Sequence, residues 1–249
     1  MAKTKPAKNG WVVAPPQVSG GDEPAPDELV DDDEWLGVIA TGDYVGQRAE
    51  GVELSGVAVA SGRWSGVILD RLLATDVTFT DCDLAGFVVQ ADSSLRRVAF
   101  TRCRLSGAVF AGVRFHDVSF VDCAMDEVNV RMAQMERVSF EGCALTGADF
   151  YAAKVAQARA TGCDMRGVAL SKATLLDVDL RGSRLEDIVG ADALRGATVD
   201  VGQVVGLARS LAAALEINVV ETPPATPCAS ARGGCRVRAR VRGRRRSWP

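Results

Sequence analysis

The chain has 249 residues, of which 47% are hydrophobic, 24% charged and 6% aromatic, with a net charge of −3. It holds no run of 18 apolar residues that could cross a membrane as a helix, and no apolar stretch follows Lys3, Lys5 and Lys8 to make a signal peptide. The expectation is a cytoplasmic protein without membrane association, long enough for one elongated domain with tails.

The charge is unevenly spread. Residues 1–50 carry ten acids and four bases, residues 51–200 twenty and sixteen, and residues 201–249 two and nine. Residues 1–34 read as a disordered acidic tail, because Pro6, Pro15, Pro16, Pro24 and Pro26 fall among Gly, Lys and Asp and leave little apolar surface to bury. The run from Asp31 to Glu34 reads either as a solubilising stretch or as a mimic of phosphates. Residues 35–51 read as an N-terminal cap in which Trp35, Leu36, Val38, Ile39 and Tyr44 cover an open sheet end.

Residues 52–199 repeat. Blocks beginning at Val77, Val98, Val118, Val138, Ala158 and Val178 step by 21 and then by 20, and five of the six end in Cys: Cys82, Cys103, Cys123, Cys143 and Cys163, with Ser183 closing the sixth. Inside each block runs a period of five. Its centres are large and apolar (Phe100, Leu105, Phe110, Phe115, Phe120, Met125), and two residues before each centre sits a small or β-branched residue (Val98, Cys103, Ala108, Val113, Val118, Cys123). Neither a 3.6 period nor unbroken alternation describes this. One short extended side followed by a polar corner does, and four sides make a square coil of 20 residues. Upstream the register continues through Leu54, Val59, Trp64, Leu69, Ala74, Phe79, Leu84 and Val89, shifted by one residue, and the shift falls in Gln90–Ser94 as a bulge.

A period of this kind marks a solenoid. The array from about Val52 to Val199 resembles the pentapeptide-repeat proteins, whose pattern is written A(D/N)LXX, with close forms in Gly147-Ala-Asp-Phe150 and Leu180-Arg-Gly-Ser-Arg-Leu185. The resemblance implies an all-β solenoid: a right-handed quadrilateral β-helix of about seven coils, roughly 35 Å long at the usual strand spacing, with a C-terminal capping α-helix. Arg104, Arg114 and Ala144 stand where Asp or Asn is usual. They alter the surface and leave the inward pattern intact.

The outward columns alternate in sign. One corner stacks Asp76, Arg97, Asp117 and Arg137, and another stacks Asp81, Arg102 and Asp122. Opposite charges on neighbouring strands contribute roughly 0.2–1 kcal/mol per pair, so these are expected to pair with one another. The cysteine column reads as inward space filling by free thiols. His116, the only histidine, falls outward beside no nucleophile, and no glycine-rich phosphate loop or H-E-x-x-H motif occurs. No enzyme activity, cofactor, catalytic residue or metal site is expected.

Beyond Val199 the period becomes helical. Asp200 and Gln203 suit a capping box, and Val201, Val204, Val205, Ala208, Leu211, Ala212 and Leu215 recur at helical spacing, widened by Leu207. Residues 200–220 are expected to form a capping helix, Val201–Glu216, and a short strand, Ile217–Val220. Leu207, Leu211 and Leu215 are the expected cap surface, shared with a homodimer contact as in some relatives. Residues 221–249, with eight Arg from Arg232 to Arg246, read as a disordered tail, either without role or weakly attracted to nucleic acid. The favoured function is a non-enzymatic binding or scaffold module engaging another macromolecule through its outer faces. The alternative implied by the resemblance to the Qnr and mycobacterial fluoroquinolone-resistance relatives is a DNA mimic acting on DNA gyrase or another type II topoisomerase.

Overall fold

Each five-residue unit places two inward apolar residues about one outward residue in extended backbone, then turns. One corner turns on a left-handed residue: Asp76 at φ 57°, Arg97 at 49°, Asp117 at 58° and Arg137 at 53°. Asp tolerates this conformation because its short polar side chain can hydrogen-bond locally. A second corner uses Gly107, Gly147 and Gly167, each at φ 68°. The computed structural model describes residues 11–18, 23–90 and 92–220.

The strands are β1 (Glu34–Leu36), β2 (Ile39–Ala40), β3 (Arg48–Glu50), β4 (Glu53–Ser55), β5 (Ala58–Ala60), β6 (Ile68–Asp70), β7 (Leu73–Thr80), β8 (Val88–Val89), β9 (Ser94–Thr101), β10 (Arg114–Val121), β11 (Gln134–Glu141), β12 (Lys154–Thr161) and β13 (Thr174–Asp179), followed by a 3₁₀ turn (Ala191–Leu194) and helix α1 (Val201–Ala214). Strands β1, β4, β7 and β9 to β13 pair in that order, all parallel, and from β7 to β12 each eight-residue strand bends around the left-handed corner to serve two sides of the square. The fourth side begins as β3, β6 and β8 and continues as single bridges from Val88 through Val109, Asn129, Asp149 and Ala169 to Val189; the third is a column of bridges from Asp43 to Arg184. This is a right-handed quadrilateral β-helix of about seven coils.

Register follows the repeat. Phe120 pairs with Phe100 on one strand and Phe140 on the other. The offset is 21 where Leu73 meets Ser94 and 20 where Ser94 meets Arg114. Ser93 absorbs the insertion: it is buried, and its Oγ accepts the Leu72 amide at 2.9 Å in place of an apolar side chain.

Like stacks on like inside. The rings of Phe79, Phe100, Phe120 and Phe140 lie 4.9, 4.9 and 5.1 Å apart and within 7° of parallel. Cys82, Cys103, Cys123, Cys143 and Cys163 are free and buried. Each thiol donates to a carbonyl of its own coil, such as Cys123 to Val121 at 3.3 Å, and Cys82, Cys103, Cys123 and Cys143 also reach a carbonyl of the preceding coil, a bond that Ser183 keeps by donating to the Ala160 carbonyl at 3.0 Å. Contact with the Cys123 and Cys82 sulfurs, added to burial, holds the Cys103 thiol well above its usual range. Contact with Cys123 pushes Cys143 up to about 11.

The N-terminal part departs from the expectation of a tail to residue 34 and a separate cap at 35–51. Residues 34–50 are themselves a coil: Trp35 pairs with Leu54, Ile39 with Ala58, Asp43 with Arg63 and Ala49 with Leu69. Trp35 and Tyr44 point inward and pack with Trp64 at ring distances of 4.5–6.0 Å, while Leu36 and Ile39 point out. Upstream, Pro24 bridges Ile39, the Tyr44 hydroxyl donates to the Pro26 carbonyl at 2.6 Å, and Leu29 is buried. Residues 11–18 also make defined contacts. Residues 1–10, 19–22 and 221–249, including the Arg-rich stretch with Cys228 and Cys235, lie outside the described residues.

At the other end α1 closes the last coil. The capping box forms: the Asp200 carboxylate accepts the Gln203 amide at 3.0 Å and Gln203 Oε1 accepts the Asp200 amide at 2.7 Å. Gln203 Nε2 then donates to the Leu180 and Ser183 carbonyls at 2.6 Å each, satisfying acceptors that an open sheet end would leave bare. The helix stops at Ala214 rather than Glu216, and Ile217–Val220 form no strand.

Where the phenylalanine ladder gives way to Ala160, an apolar void of about 40 Å³ opens among Phe140, Leu145, Met165 and Leu180. At roughly 24 cal/mol per Å³ of cavity, Ala160→Val is expected to raise stability by about 1 kcal/mol, whereas Phe120→Ala in the filled ladder should lower it by about 3–5 kcal/mol. Denaturant melts of the two variants check both signs.

Candidate functional site

The outward charges of the corner columns pair, as their alternation requires. Arg97 grips Asp76 through two bonds of 2.6 and 2.5 Å, Arg102 grips Asp81 through two of 2.7 Å, and Arg137 binds Asp117 at 2.7 and 3.1 Å and Glu136 at 2.6 Å. On the third side Arg63 meets Asp43 at 2.6 Å and Arg104 meets Asp83 at 3.6 Å. His116 is held in the same cluster, with Nδ1 3.0 Å from Asp117 and its ring against Arg137. Apart from the Arg137–Glu136 and His116–Asp117 contacts between sequence neighbours, these are coil-to-coil pairs rather than one unbroken chain of ions.

One face escapes this neutralisation. The outward residues of the first side are Ser94 and Arg96 on β9, Arg114 and His116 on β10, Gln134 and Glu136 on β11, Lys154 and Ala156 on β12, and Thr174 and Leu176 on β13. They line a groove of about 570 Å³. Among the described residues no ion pair involves Arg96, Arg114 or Lys154, and Glu136 is turned to Arg137. The groove therefore carries unpaired cations on three of the four strands β9 to β12, with Gln134 and Glu136 on β11 between them, and ends on Leu176, which is exposed. Such a surface can hold an extended anionic segment by ion pairing, with an apolar contact at one end. The sequence already carried part of this signal: Arg114 and Lys154 occupy the same outward position two coils apart, and Arg114 is a departure from the usual Asp or Asn. What the repeat alone did not reveal is that the carboxylate on this face, Glu136, pairs with Arg137 and leaves Arg96, Arg114 and Lys154 without an ion-pair partner among the described residues.

The residues expected on the cap surface divide. Leu207 is buried against the last coil beside Gln203 and Ser210, Leu211 is half-buried, and Leu215 is 70% exposed. The helix is rotated relative to its apolar pattern, so Val201, Val204 and Val205 face outward, Val201 and Val205 at 89% and 80% exposure. Among the described residues no group of His, Cys, Asp and Glu is placed to hold a metal, and no helix is long and apolar enough to cross a membrane.

The ion pairs set a pH dependence. The bonds from Arg97 hold Asp76 below the usual carboxylate range; burial opposes the same shift at Asp117, where Arg137 and the Ala14 amide prevail; Arg181 acts likewise on Asp179. A carboxylate depressed in the folded state contributes stability above its unfolded pKa, and that stability is lost as pH falls through the folded value. The melting temperature is expected to be level from about pH 7 to 5 and to fall steadily below about pH 4. A melting temperature that rises on acidification would contradict the pairing.

Two family profiles match the repeat array: one described as "Pentapeptide repeats (8 copies)" covers residues 93–131, and one described as "Pentapeptide repeat region" covers residues 133–194. No curated protein sequence matches. Similar solved structures include trypsin-treated QnrB1, a plasmid-mediated fluoroquinolone resistance protein, with 20% identity, 77% of this chain and 99% of that one covered and a TM-score of 0.42. HetL, a pentapeptide repeat protein involved in heterocyst differentiation regulation from the cyanobacterium Nostoc sp. strain PCC 7120, has 15% identity, 70% and 90% coverage and a TM-score of 0.34. Rfr23 from the cyanobacterium Cyanothece 51142 has 20% identity, 40% and 66% coverage and a TM-score of 0.21. The five-residue register, its four-sided coil and both family profiles coincide over residues 93–194, and this array is similar to the pentapeptide repeats.

Proposed function

We propose that this chain is a non-enzymatic binding module that engages an acidic segment of another macromolecule through the groove on its first side. The observation that carries this reading is the run of Arg96, Arg114 and Lys154, three cations without carboxylate partners on a solenoid whose other arginines largely pair coil to coil. A parallel β-helix suits the task because its backbone is committed to the inter-coil ladder and its outward side chains stand at fixed spacing. The burial of the five column cysteines and the engagement of His116 with Asp117 and Arg137 support a role without catalysis. The test uses a labelled hexaglutamate peptide. Binding is expected to weaken at least tenfold in Arg114→Glu/Lys154→Glu and to weaken with added salt, since exposed pairs are screened. Equal binding by the double variant would overturn the assignment.

The topoisomerase-directed DNA mimic is the second reading. What favours it is an acidic edge on the far side of the coils, where Asp122, Asp126, Glu127 and Glu141 have no ion-pair partner among the described residues. The cationic groove weighs the other way, because a duplex mimic presents carboxylates along its length. A gyrase supercoiling assay separates the two: inhibition that survives Arg114→Glu/Lys154→Glu and is lost in Asp126→Lys/Glu127→Lys favours the mimic. The outward valines of α1, with Leu215, form an apolar strip that we assign to a second copy of the chain. Light scattering at tens of micromolar should then give a dimer that Val205→Glu dissociates, and a monomer in the unaltered chain would remove the assignment.

A further inference from the structure

Residues 11–18, Trp-Val-Val-Ala-Pro-Pro-Gln-Val, run along the solenoid across its coils and touch it at every third residue. The Trp11 ring lies 5.4 Å from the Arg159 guanidinium carbon, the Ala14 amide donates to Asp117 Oδ1 at 3.2 Å, and the Gln17 amide donates to Asp76 Oδ1 at 2.9 Å. Between successive contacts the solenoid advances two coils. Two coils span about 9.6 Å at the strand spacing, and three residues of polyproline II span about 9.3 Å. Pro15 and Pro16 fix their own φ near the polyproline value and bias the preceding Ala14 toward the same region. The alternation of the Asp76, Arg97, Asp117, Arg137 column supplies the matching ruler, because it sets one carboxylate on every second coil. Each of these carboxylates is held by its arginine and still accepts a backbone N–H.

We propose that this corner is a docking site for polyproline II segments, that residues 11–18 are its resident occupant, and that the partner it serves is a protein segment with an aromatic residue at one position, free amides three and six residues later, and proline between them. The resident strap competes with that partner. It covers the site in cis and leaves it open when displaced. This site is distinct from the cationic groove on the first side, and a failure here would leave the groove and its hexaglutamate test untouched.

The test uses the full chain and a labelled synthetic peptide of residues 11–18. In the variant Trp11→Ala/Ala14→Pro/Gln17→Pro the strap loses its ring and both N–H donors while the solenoid is unchanged. The peptide is expected to bind this variant at least tenfold more tightly than the unaltered chain. A peptide carrying Pro at the positions of Ala14 and Gln17 should lose that binding, as should the native peptide when Arg159→Ser is added to the variant. In the unaltered chain the Ala14 and Gln17 amides should exchange with solvent at least tenfold more slowly than in the free peptide. A peptide that binds neither protein, or both equally, would overturn the proposal, as would unslowed exchange at both amides.

Discussion

The inter-coil ladder governs everything else in this molecule. Each coil must return its backbone to the same place about 4.8 Å further along, so every inward side chain stacks on its counterpart about one coil away. That constraint explains why the interior is built of repeated residues, Phe upon Phe and Cys upon Cys, and why an insertion is confined to one corner. At Gln90–Ser94 the extra residue is taken up without disturbing the ladder, because the Ser93 hydroxyl replaces an apolar side chain and satisfies the Leu72 amide itself. A longer insertion would move all residues of the following side off their partners.

The same spacing organises the outside. Charges at equivalent corners of adjacent coils are near neighbours, so like charges would repel and opposite charges pair. Asp and Arg alternate along two corners, and Arg97, Arg102 and Arg137 each hold a carboxylate on the preceding coil. Pairing of this kind removes net field from most of the corners and makes the groove of Arg96, Arg114 and Lys154 stand out. It also leaves Asp76 and Asp117 fixed in place at two-coil intervals, rigid acceptors that a mobile surface carboxylate could not provide.

The period, the inward columns, the corner insertion, the cysteine stack and the capping box were all legible in the sequence, because each is a local pattern repeated or an established spacing. Two features were not. The face that α1 buries is set by the carbonyls of Leu180 and Ser183, which draw Gln203 inward and turn Val201, Val204 and Val205 out; a stripe of apolar residues alone pointed the other way. The contacts of residues 11–18 are made mainly by backbone amides, and composition, rich here in proline, speaks only to how little apolar surface such a segment can bury. The cationic groove lies between these cases: its residues were visible as departures from the repeat, but their lack of partners is a property of the folded face.

The claim on which the account rests is the continuous 20-residue register, and residue-resolved NMR contacts test it most directly. The account predicts inter-strand backbone contacts between residues 20 apart on all four sides of the central coils, with the offset at 21 for pairs that span Gln90–Ser94 and back at 20 from Ser94 to Val178. Contacts between residues three and four apart through 98–185, or inter-strand contacts at any other offset in the central coils, would contradict it.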